Sequence, residues 1–291
     1  MPPLLSPELI RALSRLRLDA PVKTAGAHAG ENRSQAPGSS VEFHDYREYE
    51  PGDDYRHIDW NIYSRLDRLF VKVFTEERNR RLVLLIDHSS SMRVGDPPKV
   101  EYARQVAAAL GYVALRRGDH VRQAELSTRL SWRTPWLRGR HRLLPLFHTL
   151  ARTEARGRTA LAPALRGLSS KDVHHAVAVL ISDLLDPSWE EALAALSRLR
   201  ATPVLVHLLA PEDWAPSSRG ALELVDAETG DRLAVTLDEA AARAFIDTAQ
   251  RWLLQVRERC AKLGIACYQL DTSYPLDALL LKAFREGGLL R

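Results

Sequence analysis

Apolar residues recur along the chain with two different periods, and the place where the period changes divides it. Leu9, Leu13 and Leu16 lie on a helical stripe behind Ser6-Pro7-Glu8, where Ser6 can cap and Pro7 can take the first helical position, which predicts a short helix over Leu9 to Leu18. Gly26 to Ser40 is small and polar and reads as a mobile loop. Val41-Glu42-Phe43 and Leu69 to Phe74 read as strands, parted by the turn Pro51-Gly52-Asp53-Asp54.

From Arg81 onward strands alternate with helices. The continuous apolar run Leu82 to Ile86 suits a strand covered on both faces. Further strands are predicted over Val121 to Leu126, Val173 to Ile181, Pro203 to Leu209 and Ile265 to Leu270. Helices are predicted over Lys99 to Arg117, Arg142 to Ala151, Trp189 to Leu199, Glu239 to Leu263 and Leu276 to Phe284. Leu222 to Val225 and Leu233 to Leu237 flank Glu228-Thr229-Gly230-Asp231, a hairpin set into the alternation. The fold class is therefore α/β, a mostly parallel sheet with helices on both faces, with a small β extension from the N-terminal segment and an inserted hairpin near 221–237. Residues 1–79 form the leading helix, loop and extension, and residues 80–291 form the main domain. In such sheets ligands bind beyond the carboxyl ends of the strands.

Composition agrees with a globular chain: 291 residues, 45% apolar, 27% charged, net charge +4. Cys260 and Cys267 are too few for a disulfide framework and lack zinc-site spacing, which points to a reducing compartment. Arg11, Arg15 and Arg17 interrupt the first apolar stretch, so no signal peptide is read there, and no apolar run approaches the ~20 residues of a spanning helix. The expectation is a soluble, cytoplasmic protein with no membrane association. Charge is uneven: Arg116 to Lys171 holds 13 Lys and Arg against 3 Asp and Glu, interleaved with Trp132, Trp136 and Phe147. Such a block suits an acidic partner better than nucleic acid, although a nucleic-acid surface is an alternative.

The strand ends carry the candidate chemistry. Asp87-His88-Ser89-Ser90-Ser91 follows the first buried strand and offers one carboxylate and two hydroxyls at alternate positions, hard oxygen donors suited to Mg²⁺. Ser182-Asp183 ends the third buried strand, and Gly157-Arg158-Thr159 leads into a helix through Ala160 and Leu161. A purely structural role, with Asp87 and the serines capping a turn, is the competing reading. His88 points away from the donors, and His174-His175, placed inside a predicted strand, would face opposite sides.

Asp87-x-Ser89-x-Ser91, Thr159 and Asp183 resemble the metal-ion-dependent adhesion site of von Willebrand factor A domains. That resemblance implies Mg²⁺ or Mn²⁺ held by Asp87, Ser89, Ser91, Thr159 and Asp183, with an acid from a partner completing the shell. Upstream, Glu42-Phe43, Arg47-x-Tyr49-x-Pro51-Gly52-Asp53-Asp54-x-Arg56-x-Ile58-Asp59-Trp60, Arg65 and Glu76-Glu77 resemble the signature of the bacterial domain of unknown function family fifty-eight, DUF58, as do Asp226-x-Glu228-x-Gly230 and Tyr268 to Leu276. The family implies a von Willebrand A-like module that works with MoxR-type AAA+ ATPases. Asp53, Asp54, Arg56 and Arg158 are candidate partner contacts, against an ion-pair lattice that merely holds their loops.

These readings converge on a non-enzymatic, metal-dependent adaptor that couples a MoxR-type AAA+ ATPase to a client through an acidic residue. An alternative is a Mg²⁺-dependent phosphohydrolase of haloacid dehalogenase type with Asp87 as nucleophile and Asp183 with Asp186 as metal acids. That chemistry needs an acid/base aspartate two residues after Asp87, where Ser89 stands.

Overall fold

The computed structural model describes residues 4–18, 41–76, 80–216, 218–277, 283–284 and 286–291. In chain order its elements are α1 (Pro7–Leu13), β1 (Val41–Glu48), α2 (Trp60–Leu66), β2 (Phe70–Glu76), β3 (Arg81–Asp87), α3 (Lys99–Arg117), β4 (His120–Leu126), β5 (Leu130–Trp132), β6 (Leu137–Arg138), α4 (Leu143–Ala151), α5 (Leu161–Arg166), α6 (Ser170–Val173), β7 (Ala176–Ser182), α7 (Trp189–Ser197), β8 (Thr202–Leu209), α8 (Pro211–Trp214), β9 (Gly220–Val225), β10 (Arg232–Leu237), α9 (Glu239–Leu263) and β11 (Ala266–Asp271). The chain divides into two compact units, Met1–Lys23 with Arg80–Arg291, and Thr24–Asn79.

In the larger unit the main sheet runs β11-β8-β7-β3-β4-β5, with β6 also paired to β4. β11, β8, β7, β3 and β4 are mutually parallel, while β5 and β6 lie antiparallel on β4. Taken as parallel strands in chain order this is 2-1-3-4-5, a doubly wound sheet whose direction of winding reverses between β3 and β7. The alternation of side chains along β3 divides the core in two. Leu82, Leu84 and Ile86 face a layer that includes Leu9 and Leu13 of α1, the apolar stripe of α3, and Leu146 and Leu150 of α4. Val83 and Leu85 face α5, α7 and the Val256 and Cys260 face of α9.

Ser6 caps α1 as its position suggests, accepting from the Leu9 amide at 3.1 Å, with Pro7 at the first helical position. The helix belongs to the larger unit rather than to the segment it precedes, because Leu5, Leu9, Leu13, Leu16 and Leu18 all enter that unit's core. An antiparallel bridge, Leu18 to Leu290, and a reciprocal pair of backbone hydrogen bonds between Arg17 and Arg291 seat the segment. The loop predicted over Gly26 to Ser40 and most of the helix predicted over Leu276 to Phe284 lie outside the described residues.

Three expectations change. The third buried strand begins at Ala176, not Val173, because Ser170–Val173 closes a helical turn capped by the Ser169 hydroxyl. His174 and His175 therefore precede the strand, and their rings stand edge to face with centroids 3.9 Å apart instead of on opposite sides. In the smaller unit β1 and β2 pair antiparallel, and α2 intervenes without an apolar stripe to announce it: Trp60 and Leu66 are each 61% exposed. Its start is set instead by Asp59, whose carboxylate accepts from the Asn61 and Ile62 amides. Among the described residues no helix is long and apolar enough to cross a membrane.

Close approach of α3 to α4 depends on Gly111, where an added Cβ would lie 2.4 Å from the Leu146 Cδ2 atom, and Leu146 is fully buried. Helix propensity alone favours alanine by about 1 kcal/mol, whereas overpacking costs about 1–3 kcal/mol. Gly111→Ala is expected to lower stability by about 1 kcal/mol in urea unfolding, and the loss should vanish in a Leu146→Ala background. Equal losses in both backgrounds would show that the two residues do not meet.

Candidate functional site

Three loops meet at the carboxyl end of β3 and β7, where the sheet reverses. The Asp87 carboxylate, 1% exposed, accepts from the Ser89 amide at 2.9 Å on Oδ1 and from the Ser182 hydroxyl at 2.6 Å on Oδ2. Ser89 and Ser91 are buried and their hydroxyls face each other at 3.0 Å as the chain turns into a short 3-10 segment. The turn-capping reading of Asp87 holds as far as the Ser89 amide goes, and the Ser89 side chain also reaches the Asp87 carboxylate while facing the Ser91 hydroxyl.

The Thr159 loop is tied to the Asp87 loop by backbone hydrogen bonds, Ser90 amide to Gly157 carbonyl at 2.9 Å and Arg156 amide to His88 carbonyl at 2.6 Å. Gly157 has a φ of 77°, a left-handed conformation that residues with a Cβ rarely adopt. Asp186 closes the third side, accepting from the Leu161 amide at 2.7 Å on one oxygen and from the Ser188 amide and hydroxyl on the other. Its Oδ2 thus holds the loop after β7 to the start of α5, while Oδ1 braces that loop through Ser188. The Thr159 Oγ1 atom is buried and makes no hydrogen bond among the described residues.

Asp183 is also buried, and its backbone carbonyl meets His207 Nε2 at 2.9 Å. His207 Nδ1 faces the Gln269 amide nitrogen at 3.4 Å, which assigns the ring proton to Nε2. Burial pushes the imidazole pKa down to about 4, so the ring is neutral. On the side-chain side, Lys99 Nζ stands 2.7 Å from Asp183 Oδ2, off the directions of a good hydrogen bond, and 2.8 Å from Asp213 Oδ2. Lys99 is fully enclosed. Burial pulls its pKa down, but Asp183 and Asp213 outweigh that and the ammonium is held more tightly than usual. Asp213 is in turn shifted upward, chiefly by burial, despite the lysine.

Asp87 has no such counter-ion among the described residues. Burial first, and the charge of Asp183 second, push its pKa up to about 7. The candidate donors are mixed: three hydroxyls, one carboxylate without a cation among the described residues and one that shares the Lys99 ammonium with Asp213. The described residues contain no cluster of three or more His, Cys, Asp and Glu side chains able to hold a metal. A site of this composition fits a hard cation rather than zinc.

The other candidates are placed as follows. Asp53 pairs with Arg47 at 2.7 Å and Asp54 with Arg56 at 2.7 Å, all within the smaller unit, so these residues form a local ion-pair lattice. Arg56 side-chain and backbone hydrogen bonds hold the Asp54 carboxyl down at about 2. Arg158 is exposed on the Thr159 loop. In the basic block Arg122 lies over the Trp132 ring at 3.6 Å and Arg81 over Trp136 at 5.5 Å. These aromatic faces are used internally and are not open platforms for stacking bases.

The family model described as protein of unknown function DUF58 matches residues 45–253. The chain belongs to the DUF58 family. An uncharacterized protein of Mycobacterium tuberculosis strain H37Rv is 28% identical over 292 residues, covering 98% of this chain and 92% of that protein. Among solved structures, BatB from Bacteroides thetaiotaomicron is 14% identical with a TM-score of 0.40, covering 72% of this chain and 98% of its own. A von Willebrand factor type A protein from Catenulispora acidiphila is 14% identical with a TM-score of 0.39, covering 74% of this chain and 43% of its own.

Sequence reasoning missed Lys99, Asp213 and Ser182. Lys99 carried a signal: a cation in the first turn of a helix opposes the helix dipole and calls for an acidic partner elsewhere. Removing it strands two buried carboxylates. Lys99→Met is expected to lower unfolding free energy by about 3–5 kcal/mol, measured by urea denaturation; a loss below about 1 kcal/mol would mean the ion triad is not formed.

The Asp87 shift has a definite sign. A carboxyl whose folded pKa of about 7 exceeds the ordinary 3.8 adds stability in full below about pH 4 and loses it as pH rises to about 7. In EDTA, the unfolding free energy of the wild type relative to Asp87→Asn should fall by a few kcal/mol across that window, at most about 1.4 kcal/mol per pH unit, and be flat above it. A flat difference throughout would contradict the burial of an unpaired carboxyl.

Proposed function

We propose that the chain is a non-enzymatic, cation-dependent protein-binding module, an adaptor between a MoxR-type AAA+ ATPase and a client that offers an acidic side chain. Ser89, Ser91, Thr159 and Asp87 are the residues that would hold Mg²⁺ or Mn²⁺, with Asp183 alongside. The observation that carries the reading is Asp87: a dry carboxylate with no cationic partner, set beside paired hydroxyls and the unpartnered Thr159 hydroxyl. When bound, the cation supplies an electrophilic centre for a partner's carboxylate.

The charge balance favours that use. Lys99 sets one positive charge between Asp183 and Asp213, so it offsets only part of the Asp183 charge, and the other donors, Ser89, Ser91 and Thr159, are neutral hydroxyls. A divalent ion in such surroundings keeps an excess of positive charge and attracts one more acid. The phosphohydrolase reading fares worse, because the acid/base aspartate that chemistry needs two residues after Asp87 is replaced by Ser89, whose hydroxyl does not transfer protons near neutrality. Asp186, likewise, is spent on holding loops together.

Two measurements test the proposal. At a hundredfold excess over Kd, Mn²⁺ should stabilise the wild type by about 2.7 kcal/mol and leave Asp87→Ala unchanged. Affinity capture from native cells should retain an AAA+ ATPase with Mg²⁺ and lose it with EDTA or with Asp87→Ala. Recovery of the same proteins under all three conditions would overturn the metal-dependent contact.

A further inference from the structure

The inserted hairpin brings a further acid to this site. Glu228 lies in the turn between β9 and β10, and its Oε2 atom accepts from the Thr159 amide at 2.9 Å. Its Oε1 atom is buried and has no hydrogen-bond partner among the described residues, as is true of the Thr159 hydroxyl next to it. The turn itself is built to present this side chain. Asp226 Oδ1 accepts from the Glu228 amide at 2.9 Å and from the Thr229 amide at 2.7 Å, and the Asp226 and Gly230 backbones close the loop.

The placement is unfavourable on its own terms. Asp226, whose carboxylate builds the turn, adds a like charge two residues away. Nor does the hairpin need this contact to build a core: it is a ribbon of two strands, with Leu224, Val225 and Leu233 each more than half exposed. A carboxylate oxygen buried without a partner beside other carboxylates is a position that a divalent ion turns from repulsive to attractive.

From this we infer that Glu228 is a ligand of the same cation, supplied by the chain itself, and that it takes the position an acid from outside would otherwise take. The inference rests on the cation site proposed above. It makes the hairpin a built-in competitor: a client's carboxylate gains the ion by displacing Glu228 from the Thr159 loop.

The test is Mn²⁺ titration of the full chain by calorimetry, with water-proton relaxation of the bound ion read in the same samples, for the wild type, Asp87→Asn and Glu228→Gln. Glutamine keeps the size of the side chain and can still accept from the Thr159 amide, so a change in binding reports the lost charge and not a lost hairpin. The expected result is that Glu228→Gln binds Mn²⁺ roughly tenfold or more weakly, since ligand charge sets affinity in oxygen sites. Its bound ion should also show higher proton relaxivity, because water replaces the missing carboxylate, and Mn²⁺ should slow amide exchange over 226–231 in the wild type alone. Affinity for Glu228→Gln within twofold of the wild type, with Asp87→Asn silent, would overturn the inference and leave the cation site standing. A wild type that binds no Mn²⁺ would overturn both.

Discussion

Lys99 sits wholly out of water at the first position of α3, with its ammonium between Asp183 and Asp213. That ion triad joins the start of α3, the loop after β7 and the short helix after β8, three segments far apart in sequence. It also decides the electrostatics of everything beside it. One ammonium shared by two carboxylates offsets only part of the Asp183 charge, which still raises the pKa of Asp87, a carboxylate with no cation beside it among the described residues. Remove the ammonium and the segments after β7 and β8 would carry two buried like charges, Asp183 and Asp213, with nothing between them.

The reversal of winding between β3 and β7 explains why the loops meet where they do. Strands on either side of that point send their connections to opposite faces, so a cleft opens above their carboxyl ends. Backbone hydrogen bonds from the Asp87 loop to the Thr159 loop, and Asp186 from the loop after β7 to the start of α5, then bind the three walls of the cleft to one another. The side chains that carry the proposed chemistry are therefore mounted on segments whose own backbones are fully engaged. Such mounting keeps the Ser89, Ser91 and Thr159 hydroxyls in place, while Asp87 and Asp183 also brace the loops they stand on.

Much of this was legible in residue patterns, for reasons that are local. An apolar run of Leu82 to Ile86 cannot be solvated on either face, so a central parallel strand follows, and with it the position of Asp87 at a strand end. Asp87, Ser89 and Ser91 lie within five residues, so their proximity needs no knowledge of the fold. Thr159 and Asp183 were picked out by their places at a loop and a strand end, but their joining to Asp87 in one site came only from the resemblance, since nothing in their neighbours' spacing says which loops will touch. Lys99, Asp213 and Glu228 gained their roles only at long range: the lysine at a helix start hinted at an acid without saying which, Asp213 sits in a four-residue helix, and Glu228, quoted as part of a turn, meets Thr159 only once the chain is closed. The histidines at 174 and 175 went wrong for a different reason. An unbroken apolar stretch places a strand well but not its first residue, and a helical turn ending at Val173 took the positions just before it.

One feature of the larger unit bears on how the chain is organised. Arg80, at the head of β3, donates through its guanidinium to the carbonyl of Leu18, and Leu18 itself is bridged to Leu290. The point where the chain leaves this unit and the point where it returns are thus neighbours. Residues 24–79 are consequently an excursion from a body that closes without them, and a few linking residues from Leu18 to Arg80 would span the gap.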